Sequence, residues 1–250
     1  MDYPTALSVE DLTRNLARVR ARIDEAAERT AREAGEVRLL PVSKTVPEDR
    51  VRLAIEAGCH QLGENKVQEA VRKHDALVET AVSWSIIGHL QRNKARDVVA
   101  IAQEFHALDT LRLAEALDRR LQAAGRGLDV YVQVNTSGED SKYGLHPDDV
   151  LDTLASLAAF DSLRVQGLMT LAVFSPDTAR VRSSFRLLRD LRDRARDVDP
   201  GLVGPGGLSM GMSGDYEAAI EEGATVVRVG QAIFGERATP DSHYWPTPGS

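Results

Sequence analysis

From about residue 36 onward the chain alternates between short apolar runs and longer segments whose apolar residues recur every three or four positions among charges. Runs of the first kind read as strands buried on both faces, and segments of the second kind as amphipathic helices laid over them. Strands are expected at about 37–43, 60–63, 84–87, 105–108, 130–134, 163–168, 207–210 and 225–229. Helices are expected between them at 47–57, 66–79, 93–103, 111–124, 147–159, 179–198 and 215–222. Ahead of this series, residues 8–34 place Leu12, Leu16, Val19, Ile23, Ala26 and Ala27 on one helical face, with Ser8 as N-cap and Gly35 as the stop.

Eight strands separated by helices match the (β/α)8 TIM barrel, an α/β fold of about 250 residues. A doubly wound open sheet shares the alternation, and only the count of eight favours closure. No composition break precedes the Pro-containing tail at 239–250, so the expectation is one barrel domain over 1–250, with a core at about 8–237 and an extra N-terminal helix.

Composition narrows the function. The formal net charge of −7 comes without a polybasic tract, which argues against nucleic acid or an anionic membrane as partner. No apolar run approaches the roughly 18 residues of a membrane span, and the N-terminus lacks a signal-peptide pattern, so a cytoplasmic protein is expected. Cys59 is the single cysteine and the six histidines lack metal-ligand spacing, so neither a disulfide nor a metal is expected.

Only five lysines occur, Lys44, Lys66, Lys73, Lys94 and Lys142, and Lys44 stands at the C-terminal tip of the first strand. By alternation it shares a face with Val42 and Leu40. If that face is the core, the amine is partly desolvated, which makes it a nucleophile able to form a Schiff base with an aldehyde; a lysine that merely reaches solvent is the plainer reading. Active sites of such barrels lie at the C-terminal ends of the strands, where this chain gathers polar and glycine-rich stretches. The last two tips, Ser209 to Asp215 and Arg228 to Gly235, have the composition of a phosphate cradle built from loop amides, although Ser213-Gly214 also suits an ordinary helix cap. Arg228 shares a face with Val226 and enters the barrel interior on this reading. A buried guanidinium needs an acceptor: a phosphate, a carboxylate such as Glu64, or an unprotonated ring nitrogen. His89 is either an acid or base or a wall residue.

An amine on the first strand and an anion cradle on the last two together suggest pyridoxal 5′-phosphate. The same residues carry a resemblance. Val42-Ser43-Lys44-Thr45, Leu62-Gly63-Glu64-Asn65, Ile87-Gly88-His89-Leu90-Gln91, Gly167-Leu168-Met169, the stretch Leu208 to Asp215 and Arg228-Val229-Gly230 look like the pyridoxal phosphate homeostasis protein family. The resemblance covers about residues 8–237. It implies a fold-type III barrel similar to the N-terminal domain of alanine racemase, with the cofactor as a Schiff base on Lys44. It further implies that Ser213 and the amides near Gly214 and Gly230 hold the phosphate, that Arg228 lies close to ring or phosphate, and that Asn65, His89 and Met210 line the pocket. Members of this family are thought to buffer and deliver the cofactor to apo-enzymes and to influence amino- and keto-acid balance, without an established reaction. Lys66 departs from an aromatic residue frequent in the family, and Ser85 from a histidine or another bulky residue.

The alternative is a weak amino-acid racemase. An arginine facing the pyridine nitrogen discourages its protonation and weakens the ring as an electron sink, and the chain ends soon after the eighth strand, without a racemase's second domain. A monomeric carrier with no catalytic residue is therefore the expectation, with Lys142 or Lys94 as candidates for a second cofactor site.

Overall fold

The computed structural model describes residues 3–139 and 143–236. Helix α1 (Val9–Glu28) precedes a regular series: β1 (Arg38–Pro41), α2 (Glu48–Glu56), β2 (Gln61–Glu64), α3 (Val67–Ala76), β3 (Ser83–Ile86), α4 (Ala95–Ile101), β4 (Ala102–Leu108) and α5 (Leu111–Ala123). It continues with β5 (Leu128–Gln133), α6 (Val150–Leu157), β6 (Leu163–Met169), α7 (Thr178–Val198), β7 (Gly207–Ser209), α8 (Tyr216–Glu221), β8 (Val226–Val229) and the four-residue α9 (Gln231–Phe234). The strands form one parallel sheet in the order β1-β8-β7-β6-β5-β4-β3-β2. Its two end strands meet through a single bridge, Val42 to Gly63, and the Ser43 N–H donates to the Gly63 carbonyl at 3.0 Å. The sheet is thus a nearly closed TIM barrel rather than an open doubly wound sheet. Since all pairings are parallel, every strand tip lies at one end.

The layer between strands and helices is apolar and supplies most of the burial. Leu12, Leu16, Val19, Ile23, Ala26 and Ala27 of α1 are all buried, as their spacing requires, and Trp84, Tyr131 and Cys59 are core residues. The Ser8 side chain caps α1 by accepting the Asp11 N–H, and Asn15 ties the helix to the Ile233 carbonyl at 2.9 Å. Several boundaries differ from expectation by two or more residues, and two of the differences have a clear local cause. Helix α1 stops at Glu28 instead of near Gly35, because Ala31 takes φ +56 and the Arg32 N–H reaches back to the Ala27 carbonyl, a glycine-like termination made by alanine. Strand β4 begins at Ala102, three residues earlier than the apolar run, because its first turnward residues, Gln103 and Glu104, are polar.

Glu104 is polar for a reason: the barrel interior is not wholly apolar. Arg38, Gln61, Ser85, Glu104, His106, Ser209 and Arg228 reach into it from six strands and hydrogen-bond to one another. Where β6 meets β7 the backbones approach so closely that a Cβ on Gly167 would collide with the Gly207 carbonyl, and Gly167 adopts φ +147. Only glycine satisfies both conditions. Gly167→Ala is expected to destabilise the protein by about 3 kcal/mol or more, by combining strain with a backbone clash, and equilibrium urea unfolding checks it.

Candidate functional site

The tip of β1 is held in place by a buried ion cluster. Lys73, on α3, is fully buried and its ammonium donates to the Ser43 carbonyl at 2.7 Å, to Glu64 Oε1 at 2.6 Å and to Glu69 Oε1 at 2.8 Å. Three hydrogens meet three acceptors, so the charge is fully satisfied. Glu64 is equally buried and also accepts the Ser43 hydroxyl at 2.6 Å, while Glu69 accepts the Thr45 N–H at 2.7 Å. Residues 43 and 45 are therefore both tied to the same cluster, and Thr45 is held at φ +66, a conformation rare for a β-branched residue. Lys44 lies between them, half-buried, in the turn that follows β1, three residues past the last strand residue Pro41. Burial pushes the Glu64 carboxyl up to about 7, against the pull of the Lys73 ammonium and the Ser43 hydroxyl.

Beside the β1 tip, since β8 pairs directly with β1, the loops after β7 and β8 are joined: the Gly230 N–H donates to Ser213 Oγ at 3.3 Å. Asp215 shapes the first loop by accepting the Met212 N–H at 2.6 Å, and burial raises its carboxyl above the ordinary aspartate value despite that bond. Gly214 is exposed, and a Cβ there would meet nothing within 4 Å, so its backbone faces open space. Arg228 is buried below, donating from Nη1 to Ser209 Oγ at 2.7 Å and from Nη2 to the Thr170 carbonyl at 2.8 Å. Among the described residues it forms no ion pair. Glu64, the carboxylate considered for it, is committed to Lys73 instead. Burial lowers the Arg228 pKa to about 10, offset in part by Asp215.

The remaining expected residues lie on the rim or in the wall. Asn65 is half-buried beside Gly88, where any side chain would collide with the Asn65 carbonyl and amide oxygens, so Gly88 is what lets the two tips approach. His89 stands at the rim, stacked on Tyr143 with ring centroids 3.8 Å apart and bonded through Nδ1 to Asp109 Oδ2 at 3.2 Å. Met210 is fully buried, one position beyond Ser209 and so on the opposite side of the chain. Lys94 is the residue just before α4, and Lys142 lies outside the described residues.

The parallel topology puts Lys44, Asn65, His89, Ser213, Gly214 and Gly230 at one end of the barrel, just past the strands, with Arg228 inside β8, and of these Ser213 and Gly230 are bonded to each other. What spacing and alternation missed is the support beneath. Lys73 stood out only as one of five lysines, although its three-residue register with the buried Val67 and Ala70 places it on the inner face of α3. His106 and Glu104 leave no trace in the pattern, because polar residues within or ahead of a short apolar run look the same whether they face water or one another inside a barrel.

Residues 14–238 match the family model described as the alanine racemase N-terminal domain. A pyridoxal phosphate homeostasis protein from Aquifex aeolicus is 39% identical over 223 residues, covering 89% of this chain and 96% of its own. One from Pseudomonas aeruginosa is 41% identical over 226 residues, covering 90% and 96%. Among solved structures, PipY from Synechococcus elongatus with PLP bound superposes with a TM-score of 0.80 at 32% identity, covering 90% of this chain and all of that one. Alanine racemase from Corynebacterium glutamicum shares the fold, with a TM-score of 0.66 at 16% identity over all of this chain and 66% of that chain.

Removing one partner of a buried ion pair leaves an uncompensated charge. Lys73→Met is therefore expected to cost about 3–5 kcal/mol, and Lys73→Met combined with Glu64→Gln about half that or less, measured by urea unfolding.

Proposed function

This chain belongs to the pyridoxal phosphate homeostasis protein family, and from that premise we propose that it binds pyridoxal 5′-phosphate at the mouth of its barrel, as a Schiff base on Lys44. The neutral amine of Lys44 and the cofactor aldehyde condense, a C=N bond replaces the C=O, and the aldehyde oxygen leaves as water. The reverse hydrolysis releases the cofactor intact. Capture and release therefore need no third reactant, which suits a store that hands the cofactor to apo-enzymes and so influences amino- and keto-acid balance.

The observation that carries the reading is the convergence of three unlike groups at one end of a parallel barrel. Lys44 is half-buried, with both neighbouring residues fixed. Ser213 and Gly230 are bonded to each other, and with Gly214 they form a loop pair whose amides and hydroxyl suit a phosphate. Arg228 is a buried cation with two neutral protein acceptors, and an anionic or aromatic-nitrogen ligand supplies what it lacks. Asn65 and His89 close the sides, and Met210 belongs to the wall. The chemistry the cofactor brings is its aldehyde; the protein's part is to hold the amine, bind the phosphate and keep a fixed positive charge beside the ring.

Borohydride reduction after incubation with pyridoxal phosphate, followed by peptide mass spectrometry, is expected to find the added pyridoxyl group on Lys44 and to find none in Lys44→Ala. Label on another lysine, or a protein that stays colourless, sinks the assignment. Ser213→Ala and Arg228→Ala are expected to weaken cofactor retention about tenfold each while leaving the fold intact, by loss of one or two hydrogen bonds to a charged group. Equilibrium dialysis with unchanged affinity in both removes the cradle.

A further inference from the structure

The polar side chains inside the barrel form one connected line, and their hydrogen-bonding roles are forced. At its lower end Glu104 Oε2 takes three contacts: Arg38 Nη2 at 3.1 Å, Ser85 Oγ at 3.0 Å and His106 Nε2 at 3.0 Å. Gln61 braces the group, accepting from Arg38 at 2.6 Å and donating to Ser85 at 3.0 Å. At its upper end Arg228 donates to Ser209 Oγ, and Ser209 Oγ lies 2.9 Å from His106 Nδ1.

An arginine only donates, so Ser209 accepts from Arg228 and has one proton left, which it gives to His106 Nδ1. His106 must then be neutral with its proton on Nε2, and that proton goes to Glu104, which only accepts when ionised. Every bond from Arg228 to Glu104 points the same way. The electrostatics agree. Burial alone would raise the Glu104 carboxyl, yet the bonds to His106 and Arg38 hold it down to about 2. Burial lowers the pKa of His106, and Arg228 and Arg38 lower it further, against the pull of Glu104. The groups facing the imidazole are Arg38 from β1, Glu104 from its own strand, Tyr131 from β5 with ring centroids 4.4 Å apart, Ser209 from β7 and, one bond beyond, Arg228 from β8.

We propose that His106 is a positioning residue for the cofactor: by taking the Ser209 proton it fixes Ser209 as acceptor and so fixes the Arg228 guanidinium in the pocket floor, with Glu104 holding His106 in the required tautomer. This deepens the reading of the site as a pyridoxal phosphate pocket and rests on it. Without His106 the Ser209 hydroxyl is free to turn its proton toward Arg228, and the guanidinium is left with the Thr170 carbonyl as its one dependable acceptor.

Two measurements test it. In the ligand-free protein, nitrogen chemical shifts of His106 are expected to show a neutral ring protonated on Nε2 at pH 7; a ring protonated on Nδ1, or a cationic one, overturns the relay. In protein incubated with pyridoxal phosphate, His106→Leu and Glu104→Gln are each expected to raise the dissociation constant about tenfold and to shift the visible band or its pH midpoint, with Lys44 still the modified residue. His106→Gln keeps one donor and one acceptor, and is expected to recover most of the affinity. A purely structural role would lower the thermal midpoint of the ligand-free variants and leave band, midpoint and affinity as in the parent protein, which overturns the proposal. If the parent protein binds no cofactor at all, the pocket reading fails first and this one with it; if the parent and Arg228→Ala differ but the His106 and Glu104 variants do not, only this inference fails.

Discussion

The contact on which the reactive end of this barrel depends is the buried pair Lys73–Glu64. Two charges with no solvent exposure are costly to bury, and their mutual attraction repays that cost only when every donor is used. Here the ammonium has three acceptors, and one of them is the backbone carbonyl immediately before Lys44. Packing against a hydrophobic residue would hold α3 to β2 as firmly, but would leave the Ser43 carbonyl with only the Val46 N–H and would take the cation from Glu69, which holds the Thr45 N–H. The ion pair instead dictates the backbone on both sides of the lysine, including the positive φ of Thr45. Stability is given up locally so that one side chain is aimed.

The same division runs through the whole molecule. Between strands and helices the barrel is apolar and close-packed, and that layer supplies the hydrophobic stabilisation. Inside the strands, a file of charged and polar groups replaces the branched aliphatic residues that usually fill such barrels. Each member of that file has partners, which is the condition for polar groups to be tolerated at such burial. Arg228 and Glu104, of opposite charge, sit at the two ends with a neutral imidazole and a hydroxyl between them.

Periodicity made the fold readable because strands buried on both faces and helices buried on one leave different traces, and eight repeats leave few architectures open. Arg228 was readable for a related reason: alternation counts it inward from Val226. Lys44 falls in the turn after β1, where alternation no longer applies, and parallel strands alone put it at the same end. Lys73 was not, because a lysine on a helix normally lies on the solvated side, and only the positions of Glu64 and Ser43 in space show what awaits its ammonium. His106 was not, because strand β4 starts before its apolar run and a register shift between Phe105 and Leu108 alters which residues face inward. The end of α1 was misplaced because the left-handed turn that stops it is made by Ala31 and not by the nearby glycine.

Six of the eight joints between neighbouring strands register three or more residue pairs, and β7–β8 adds to its one pair the bonds from the Met210 N–H to the Val226 carbonyl and from the Arg228 N–H to the Gly211 carbonyl. The eighth, between β1 and β2, has one bridge, and just above it the Ser43 hydroxyl and carbonyl are pinned through Glu64 and Lys73 to the second strand and its helix. This barrel is therefore stapled shut by side chains beside the amine on which the proposed chemistry depends. A joint of that kind opens locally at a fraction of the cost of global unfolding, so the first tip is the place where this wall can part while the other seven strands stay assembled.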